Sequence, residues 1–222
     1  TGIIDKETIE LLIDSIPLKY KYQEISLNLY NRLDSSKFIV HNRVTYQLDL
    51  VQHYFNLSSS YNENTRRNVS KAIAMGVYVK KGLVVHEFIE FKKQNLIVSL
   101  NGKQLAKLKE IMHQSIEKKI GEVYAAYSEQ NELCAAAFFI RSNGKVIYLS
   151  AASSNLGKNN RAMFALVDRF INDSSESHLI LDFEGSSIEN IARFYGGFGA
   201  IRCTYQQYRI NRLPWFLKPF KP

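Results

Sequence analysis

The segments that follow residue 120 constrain the fold more than any other part of the sequence. Three apolar segments, "EVYAAYS", "ELCAAAFFIR" and "GKVIYLSAAS", follow one another with short polar turns between them. Apolar runs of this length separated by turn residues predict an antiparallel meander of three strands. A helical segment ending "RAMFALVDRFIND" and a fourth strand, "HLILDF", come next, which indicates a crossover connection. Residues 121–210 are therefore predicted to fold as β-β-β-α-β-α-β, a mixed α/β arrangement.

The first hundred residues predict helices with a few short strands. Residues 4–33 are predicted to be mainly helical, because their apolar residues recur at helical spacing on either side of Pro17. Alternating apolar and polar residues in "KFIVHNRVTYQLDL" predict a strand. A helix is predicted to end at Met75, with Gly76 as its C-terminal cap, followed by a strand, "VYVKK", and two more helices.

Charge and motif content narrow the classes of function. The 222 residues include 29 Lys and Arg against 21 Asp and Glu, a net charge of +8, which favours an anionic partner such as a cofactor phosphate, a nucleic acid or an acidic surface. No apolar run approaches the roughly 20 residues that span a bilayer, and no secretory segment opens the chain, so we predict a cytoplasmic protein. The motifs HExxH, CxxC, GxxxxGK[ST] and GxSxG are absent from the sequence, so neither a metal site nor a nucleophile elbow is expected.

The first candidate site is the stretch Asp182-Phe183-Glu184-Gly185-Ser186 at the end of the strand "HLILDF". In open α/β sheets, ligands bind beyond the carboxyl ends of the strands. A carboxylate placed there among aromatic rings would have a raised pKa and could accept a proton from an attacking amine. A second interpretation stays open, in which Ser186 or Ser187 caps the next helix and Glu184 lies near the positive end of that helix.

Two basic segments are candidate anion contacts. In "SSNLGKNNRA", backbone N–H groups at a helix start could bind phosphate, reinforced by Lys158 and Arg161, although only Gly157 stands where phosphate loops usually have two or three glycines. In "NENTRRN" and the helix that follows, Arg67 and Lys71 lie one turn apart and could form an anion clamp with Asn64, or could belong to a solvated helix face. The glycines of "YGGFGA" follow a helix, so they predict a C-terminal cap and a tight reversal, with Phe198 in the core.

Several of these segments, in this order, carry a resemblance to a known family: "RVTYQLDL", "SYNENTRRNVSKAIAMGVYV", "YLSAAS", "LDFEGS", "IARFYGGFGA" and "NRLPW", spanning roughly residues 37 to 215. The set resembles the FemAB-like branch of the GNAT acyltransferase superfamily, whose members pair two GNAT-type domains in tandem. It is especially similar to a bacterial acetyltransferase-like subgroup. The resemblance implies an α/β fold with a mixed sheet, the GNAT-like acyl-CoA N-acyltransferase fold. Residues 101–222 would form a complete C-terminal domain, residues 1–100 a partial unit, and we expect an upstream segment to precede Thr1.

The resemblance implies transfer of an acyl group to an amine. The donor would be acetyl-CoA or another acyl-CoA, with its pyrophosphate on the turn before the helix that begins near Gly157, and no metal would be needed. In the peptidoglycan-bridge members the donor is aminoacyl-tRNA and the acceptor a cell-wall precursor, so a peptide acceptor and a tRNA partner stay open, as does a homodimer. The family's acetyl-CoA signature, Q/R-x-x-G-x-G/A, is not matched by "SSNLGKNN". A non-catalytic binding module with the same fold is therefore the main alternative.

On this reading each candidate residue receives a role. Glu184 would deprotonate the amine directly or through water, backbone N–H groups near residues 150–153 would polarise the donor carbonyl, and Tyr195 or Tyr148 would protonate the leaving group. The predicted donor-binding residues are Ser150, Ala151, Ala152, Ser153, Gly157, Lys158 and Arg161. The predicted substrate contacts are Arg66, Arg67, Asp182, Ser186 and Arg193. All of these roles require the third meander strand and the strand that carries the two acids to diverge, so that a ligand can enter between them.

Overall fold

Backbone contacts group the chain into two units. A computed structural model describes residues 2–33, 39–95, 100–185 and 189–220. The larger unit spans Tyr46–Ile201, and the smaller one combines residues 1–45 with residues 202–222. The division into a partial unit and a complete GNAT-type domain near residue 100 stays a prediction.

The larger unit contains a mixed sheet with the strand order β2-β7-β6-β5-β4-β3. Neighbouring strands run antiparallel except for β6 and β7, which are parallel. The predicted meander and crossover are therefore confirmed. The strands are β2 (Ile39–Asp49, which begins in the smaller unit), β3 (Tyr78–Lys81), β4 (Gly121–Tyr127), β5 (Leu133–Ser142), β6 (Lys145–Ser153) and β7 (Ile180–Asp182).

Successive side chains of a strand point to opposite faces of the sheet, and the central strands of this sheet carry apolar residues on both faces. Helices therefore cover both faces. Tyr124 and Ala126 of β4 pack in one cluster with α7, while Val123 and Ala125 pack in another with α4 and α5. None of the helices in the described ranges is long and apolar enough to cross a bilayer. The helices are α2 (Tyr54–Ser59), α3 (Glu63–Ala74), α4 (Val85–Gln94), α5 (Gly102–Glu117), α6 (Asn155–Asn159), α7 (Ala162–Ser174) and α8 (Glu189–Gly197).

The segment between β6 and β7 forms two helices where the sequence predicts one. Arg161 adopts a left-handed backbone conformation, with φ of 58°, and this separates α6 from α7. The short α6 is held against β5, because the Ser154 backbone N–H donates to the carbonyl of Cys134 at 2.9 Å. A Cβ on Gly157 would stand 1.9 Å from the same carbonyl oxygen. Gly157 therefore allows α6 to pack directly on the backbone of β5.

The "YGGFGA" segment forms the predicted reversal. Gly199 has φ of +80°, and a Cβ on Gly197 would stand 2.3 Å from the hydroxyl oxygen of Thr65 on α3. The side chain of Phe198 is fully buried in the main core, as predicted. Gly76 also has the left-handed conformation expected of a C-terminal cap, with φ of +70°. These glycines serve chain reversal and close packing.

The smaller unit corrects one prediction. A helix, α1 (Lys6–Asp14), forms with Asp5 as its cap, but the predicted helix beyond Pro17 is wrong. Residues Tyr22–Ser26 form a strand, β1, that pairs antiparallel with β8 (Ile201–Asn211). The buried Tyr208 hydroxyl of β8 donates to the side-chain oxygen of Gln23 at 3.2 Å. Pairing with a segment 185 positions along the chain overrides the local helical pattern.

We predict that replacing Gly157 by Ala destabilises the protein by more than about 2 kcal/mol, because the new methyl group would overlap the backbone of Cys134. Gly102→Ala is the matched control. Gly102 is the first residue of α5, and a Cβ at this position would meet nothing within 4 Å. Urea unfolding of both variants measures the difference. Equal stabilities for the two variants would contradict the packing role of Gly157.

Candidate functional site

The candidate site is a cleft that opens where β6 and β7 separate. Their parallel pairing covers only three residue pairs, from Lys145↔Ile180 to Ile147↔Asp182, while β6 continues to Ser153. Beyond Ile147, no described strand pairs with this side of β6, so backbone N–H and C=O groups are left to face the cleft. The cleft has a volume of about 650 Å³. The opening that the sequence analysis requires is present, but it arises because β7 ends at Asp182 while still paired with β6, not because two longer strands diverge.

The walls of the cleft come from β6, from the segment around α6 and the start of α7, from the end of β7 and from α8, with one side chain from α4. All seven predicted donor-binding residues and all three predicted catalytic residues lie along these walls, although this placement does not test their roles. The lining comprises Lys92, Tyr148, Leu149, Ser150, Ala151, Ala152, Ser153, Gly157, Lys158, Arg161, Met163, Phe164, Phe183, Glu184, Gly185, Asn190, Ile191, Phe194 and Tyr195.

A β-bulge interrupts β6 beside the cleft. Phe138 of β5 pairs with Ser150, and the next residue, Phe139, pairs with Tyr148, so Leu149 has no partner residue on β5. A bulge of this kind re-aims backbone groups and bends the strand. The bulge therefore lies where the predicted backbone donors, residues 150–153, begin.

Aromatic rings form the apolar wall of the cleft. Phe183 stacks on Tyr195 with ring centroids 4.8 Å apart, and Tyr195 meets Tyr148 edge to face at 6.0 Å. Phe164 and Phe194 make a further edge-to-face contact at 4.9 Å. These contacts fix the orientation of the two candidate tyrosines.

The two candidate tyrosines differ in their surroundings. The Tyr148 hydroxyl is buried and donates to the sulfur of Met163 at 3.2 Å, and burial raises its pKa far above the usual range. Burial, and then the charge of Glu184, raises the pKa of Tyr195 to about 12. Both phenols therefore keep their protons at neutral pH. Tyr195 is the better placed to give one to a ligand, because Tyr148 already has an internal acceptor.

Glu184 lies in a strained turn at the end of β7. Its backbone is in the left-handed region with φ of 58°, which is uncommon for a residue other than glycine. The turn is held by its N–H group, which donates to a carboxylate oxygen of Asp182 at 2.9 Å. Partial burial, followed by repulsion from Asp182, raises the pKa of the Glu184 carboxyl group. Much of the side chain is open to solvent, so water reaches this carboxylate.

The predicted substrate contacts lie outside the cleft lining. Asp182 accepts from the Gln47 side chain at 2.7 Å and lies 3.5 Å from the Lys145 ammonium, so its visible contacts hold the end of β7 in place. Arg66 donates to backbone carbonyls of Ser59 and Tyr61. The structure does not bring these two side chains to the cleft.

The other predicted substrate contacts are similar. Arg193 pairs with Glu189 on the same helix at 2.5 Å, and Arg67 is exposed on α3. Ser186 and the capping role considered for it lie outside the described residues. Substrate binding by these residues stays a prediction.

Sequence reasoning missed one charged residue of the cleft. Lys92 lies on α4, and its ammonium donates to the backbone carbonyl of Ala151 on β6 at 3.0 Å. Its position in the sequence, within "EFKKQ", looks like an ordinary solvated helix turn. The available signal was the 3–4 spacing of Phe88, Phe91 and Lys92, which places Lys92 beside the apolar face of the helix. No cluster of three or more metal-binding side chains occurs among the described residues.

Solved structures with a similar fold were found although the sequence comparisons found nothing. No protein-family model and no curated protein sequence matches this chain. The crystal structure of FemX superposes with a TM-score of 0.68 at 12% identity, covering 98% of this chain and 79% of FemX. This chain has a GNAT-like fold of the FemX type.

Two further structures support this assignment of the fold. L-PGS from Bacillus licheniformis has a TM-score of 0.56 at 10% identity, with 98% of this chain and 69% of that protein covered. A GCN5-related N-acetyltransferase from Kribbella flavida has a TM-score of 0.50 at 8% identity, with 97% and 79% covered. At these identities the similarity establishes the FemX-type fold, which is the fold that the sequence motifs predict.

We predict that Glu184→Gln makes the protein more stable than wild type at pH 7–8. A carboxyl group whose pKa is raised by folding stabilises the fold while protonated, and this stabilisation is lost as the pH rises through the folded-state pKa. The advantage of the Gln variant should therefore disappear below pH 4.5, the ordinary pKa of Glu. Thermal unfolding against pH measures it, with Glu189→Gln as the exposed control. An advantage that grows as the pH falls would contradict this assignment.

Proposed function

We propose that this protein is an N-acyltransferase that moves an acyl group from a thioester donor such as acetyl-CoA to an amine. The observation that carries the proposal is the cleft between β6 and β7, with an open backbone edge on one side and the carboxylate of Glu184 on the other. The FemX-type fold is compatible with this chemistry, since the GCN5-related N-acetyltransferase from Kribbella flavida has a similar fold.

The open edge of β6 would hold the donor. Its N–H groups, re-aimed by the bulge at Leu149, are suited to the thioester carbonyl, whose oxygen becomes negatively charged when the amine adds to its carbon. Hydrogen-bond donors that belong to the backbone are already in position and need no reorganisation during the reaction. The segment Ser150–Ser153 is the part of β6 proposed for this role.

Glu184 would accept the proton of the attacking amine. Its raised pKa lies closer to neutrality than that of an ordinary carboxylate, which favours general-base catalysis, and its solvent exposure allows a water molecule to relay the proton. The C–N bond forms as the C–S bond breaks. The thiolate that leaves would take a proton from Tyr195, and the proton that Glu184 accepted would return to this phenol through water, so that both groups end the reaction as they began it.

Cations at one end of the cleft support an anionic donor. Lys158 and Arg161 both line the cleft near the end of β6, where the phosphates of an acyl-CoA would lie. The cytoplasmic location predicted from the sequence would give access to such donors. The acceptor would be a small amine or a peptide amine, entering from the side of Glu184.

A second candidate is a binding module that has no transferase activity. One observation favours it: Gly157, the single glycine of the predicted phosphate loop, is explained by packing against Cys134. A third candidate, transfer from aminoacyl-tRNA, is favoured by the net charge of +8. Donor binding and turnover separate the three candidates.

Replacing Glu184 by Gln should lower the rate of acyl transfer about 100-fold or more, because the amine loses its general base. The assay follows free thiol released from acetyl-CoA across a panel of small amines and peptides. Glu189→Gln, which changes a carboxylate outside the cleft, should retain the wild-type rate. Full activity of Glu184→Gln at neutral pH would exclude Glu184 as the base.

Calorimetric titration with acetyl-CoA should give saturable binding by the wild-type protein. A binding module that has lost the donor site would give no saturable heat. If the donor is aminoacyl-tRNA, tRNA should bind instead, and log K should fall linearly with log salt concentration because phosphate contacts release counterions. Binding of neither donor would contradict the proposed function.

A further inference from the structure

The segment that follows β8 in the smaller unit exposes a cluster of large apolar side chains. It forms tight turns, in which the Leu217 N–H donates to the carbonyl of Pro214 at 2.9 Å and the Phe220 N–H donates to the carbonyl of Leu217 at 3.2 Å. Trp215 is 83% exposed and Phe220 is 79% exposed. The ring of Trp215 meets that of Phe216 edge to face at 5.9 Å, and Phe216 and Leu217 are exposed as well. Hydrogen-bonded turns therefore present these apolar side chains to solvent.

A second exposed segment lies beside the first. β1 and β8 pair antiparallel, and the Arg212 N–H continues this pairing by donating to the carbonyl of Lys21 at 2.7 Å. The residues before β1 and the residues after β8 therefore leave the same end of the strand pair. Leu18 and Tyr20 are exposed there. This end of the pair, formed by residues 18–21 and 212–220, is named the basic aromatic end.

The charge of the basic aromatic end is positive. Residues 202–222 contain five Lys and Arg but no Asp or Glu, and residues 15–23 contain two Lys and again neither acid. Within the described ranges, no ion pair holds the exposed cations Lys19, Lys21, Arg212 and Lys218. Four exposed cations therefore lie among exposed rings, and they favour an anionic partner.

The mixture of side chains favours a lipid surface over a nucleic acid. Tryptophan and tyrosine rings are enriched where a bilayer meets water, phenylalanine and leucine insert toward the acyl chains, and lysine and arginine contact anionic head groups. Nucleic-acid surfaces also combine rings with cations, because bases stack on the rings. Leucine cannot stack on a base, yet Leu18 and Leu217 are exposed beside the rings. Exposed leucines are favourable against a partner that has an apolar layer beneath its charges, which a bilayer of anionic lipids has.

We propose that the basic aromatic end binds the surface of a bilayer that contains anionic lipids. Trp215 and Phe220 enter the interface between head groups and acyl chains, and the four cations contact the head-group phosphates. Apolar burial and charge attraction act together in such binding, since each alone gives only weak attachment. This role is additional to the proposed acyl transfer and uses none of the residues that line the cleft.

Trp215 provides a direct test because it is the single tryptophan of the chain. Its fluorescence emission should shift to the blue when vesicles of phosphatidylglycerol and phosphatidylcholine in equal parts are added to the wild-type protein, because the ring leaves water. Brominated lipids in the same vesicles should quench this emission. Vesicles of phosphatidylcholine alone should bind more weakly, and added salt should weaken binding to the anionic vesicles.

Matched substitutions measure the apolar and the charged contributions by vesicle sedimentation. Phe220→Ser should weaken binding to the anionic vesicles about tenfold or more, because the burial of one phenylalanine is lost. Its control is Phe55→Ser, since Phe55 is 71% exposed on α2 in the larger unit and should not affect binding. Lys218→Gln should weaken binding about fivefold, whereas Lys103→Gln, which changes an exposed cation of α5, should have no effect. All four variants should unfold at the wild-type temperature.

Five results would overturn the proposal. The first three are no blue shift with anionic vesicles, equal binding to anionic and pure phosphatidylcholine vesicles, and equal effects of Phe220→Ser and Phe55→Ser. A blue shift that appears without vesicles and grows with protein concentration would mean that a second copy of the chain covers these rings. A change of Trp215 emission with single-stranded RNA but not with vesicles would assign the surface to a nucleic acid instead.

Discussion

The separation of β6 from β7 after three residue pairs is the constraint on which the site depends. A sheet that stayed paired to the end of β6 would satisfy every backbone group internally and leave no room for a ligand. Here β7 ends at Asp182, and Glu184 turns the chain away with a left-handed backbone conformation. Asp182 stabilises that turn by accepting a hydrogen bond from the Glu184 N–H at 2.9 Å.

The sequence predicts the elements of the larger unit well because their signals are local. Alternation, turn residues and caps are all present in residues 121–182, and the cleft follows from the order of those elements. Local sequence signals give the wrong secondary structure where pairing with a distant segment determines it. The apolar residues around Tyr22–Ser26 have helical spacing, yet this segment forms a strand because it pairs with β8. The break at Arg161 is not predicted, because no proline or glycine within three residues marks it in the sequence.

The candidate site divides in the same way. Glu184, Tyr195 and the end of β6 could be chosen from the sequence, because acids after an apolar strand and a basic strand-to-helix turn are local patterns. Arg66 and Asp182 look equally suitable in the sequence, but their side chains serve backbone carbonyls and the end of β7. The spacing from Phe88 and Phe91 sets Lys92 apart from Lys93 in the sequence, but the bond of Lys92 to Ala151 depends on how α4 packs against β6, which the sequence does not show.

Two charged groups of the cleft, one acidic and one basic, have pKa values that are shifted toward their neutral forms. Folding disfavours ionised Glu184, and it disfavours charged Lys92. Within the described residues neither group has an ion pair, whereas the carboxylate of Asp173 is held by Lys81 and Arg169. A chain under selection for stability alone would gain by replacing both. Both groups line a cleft with an open strand edge, where a bound ligand would supply the partners that the described protein contacts do not.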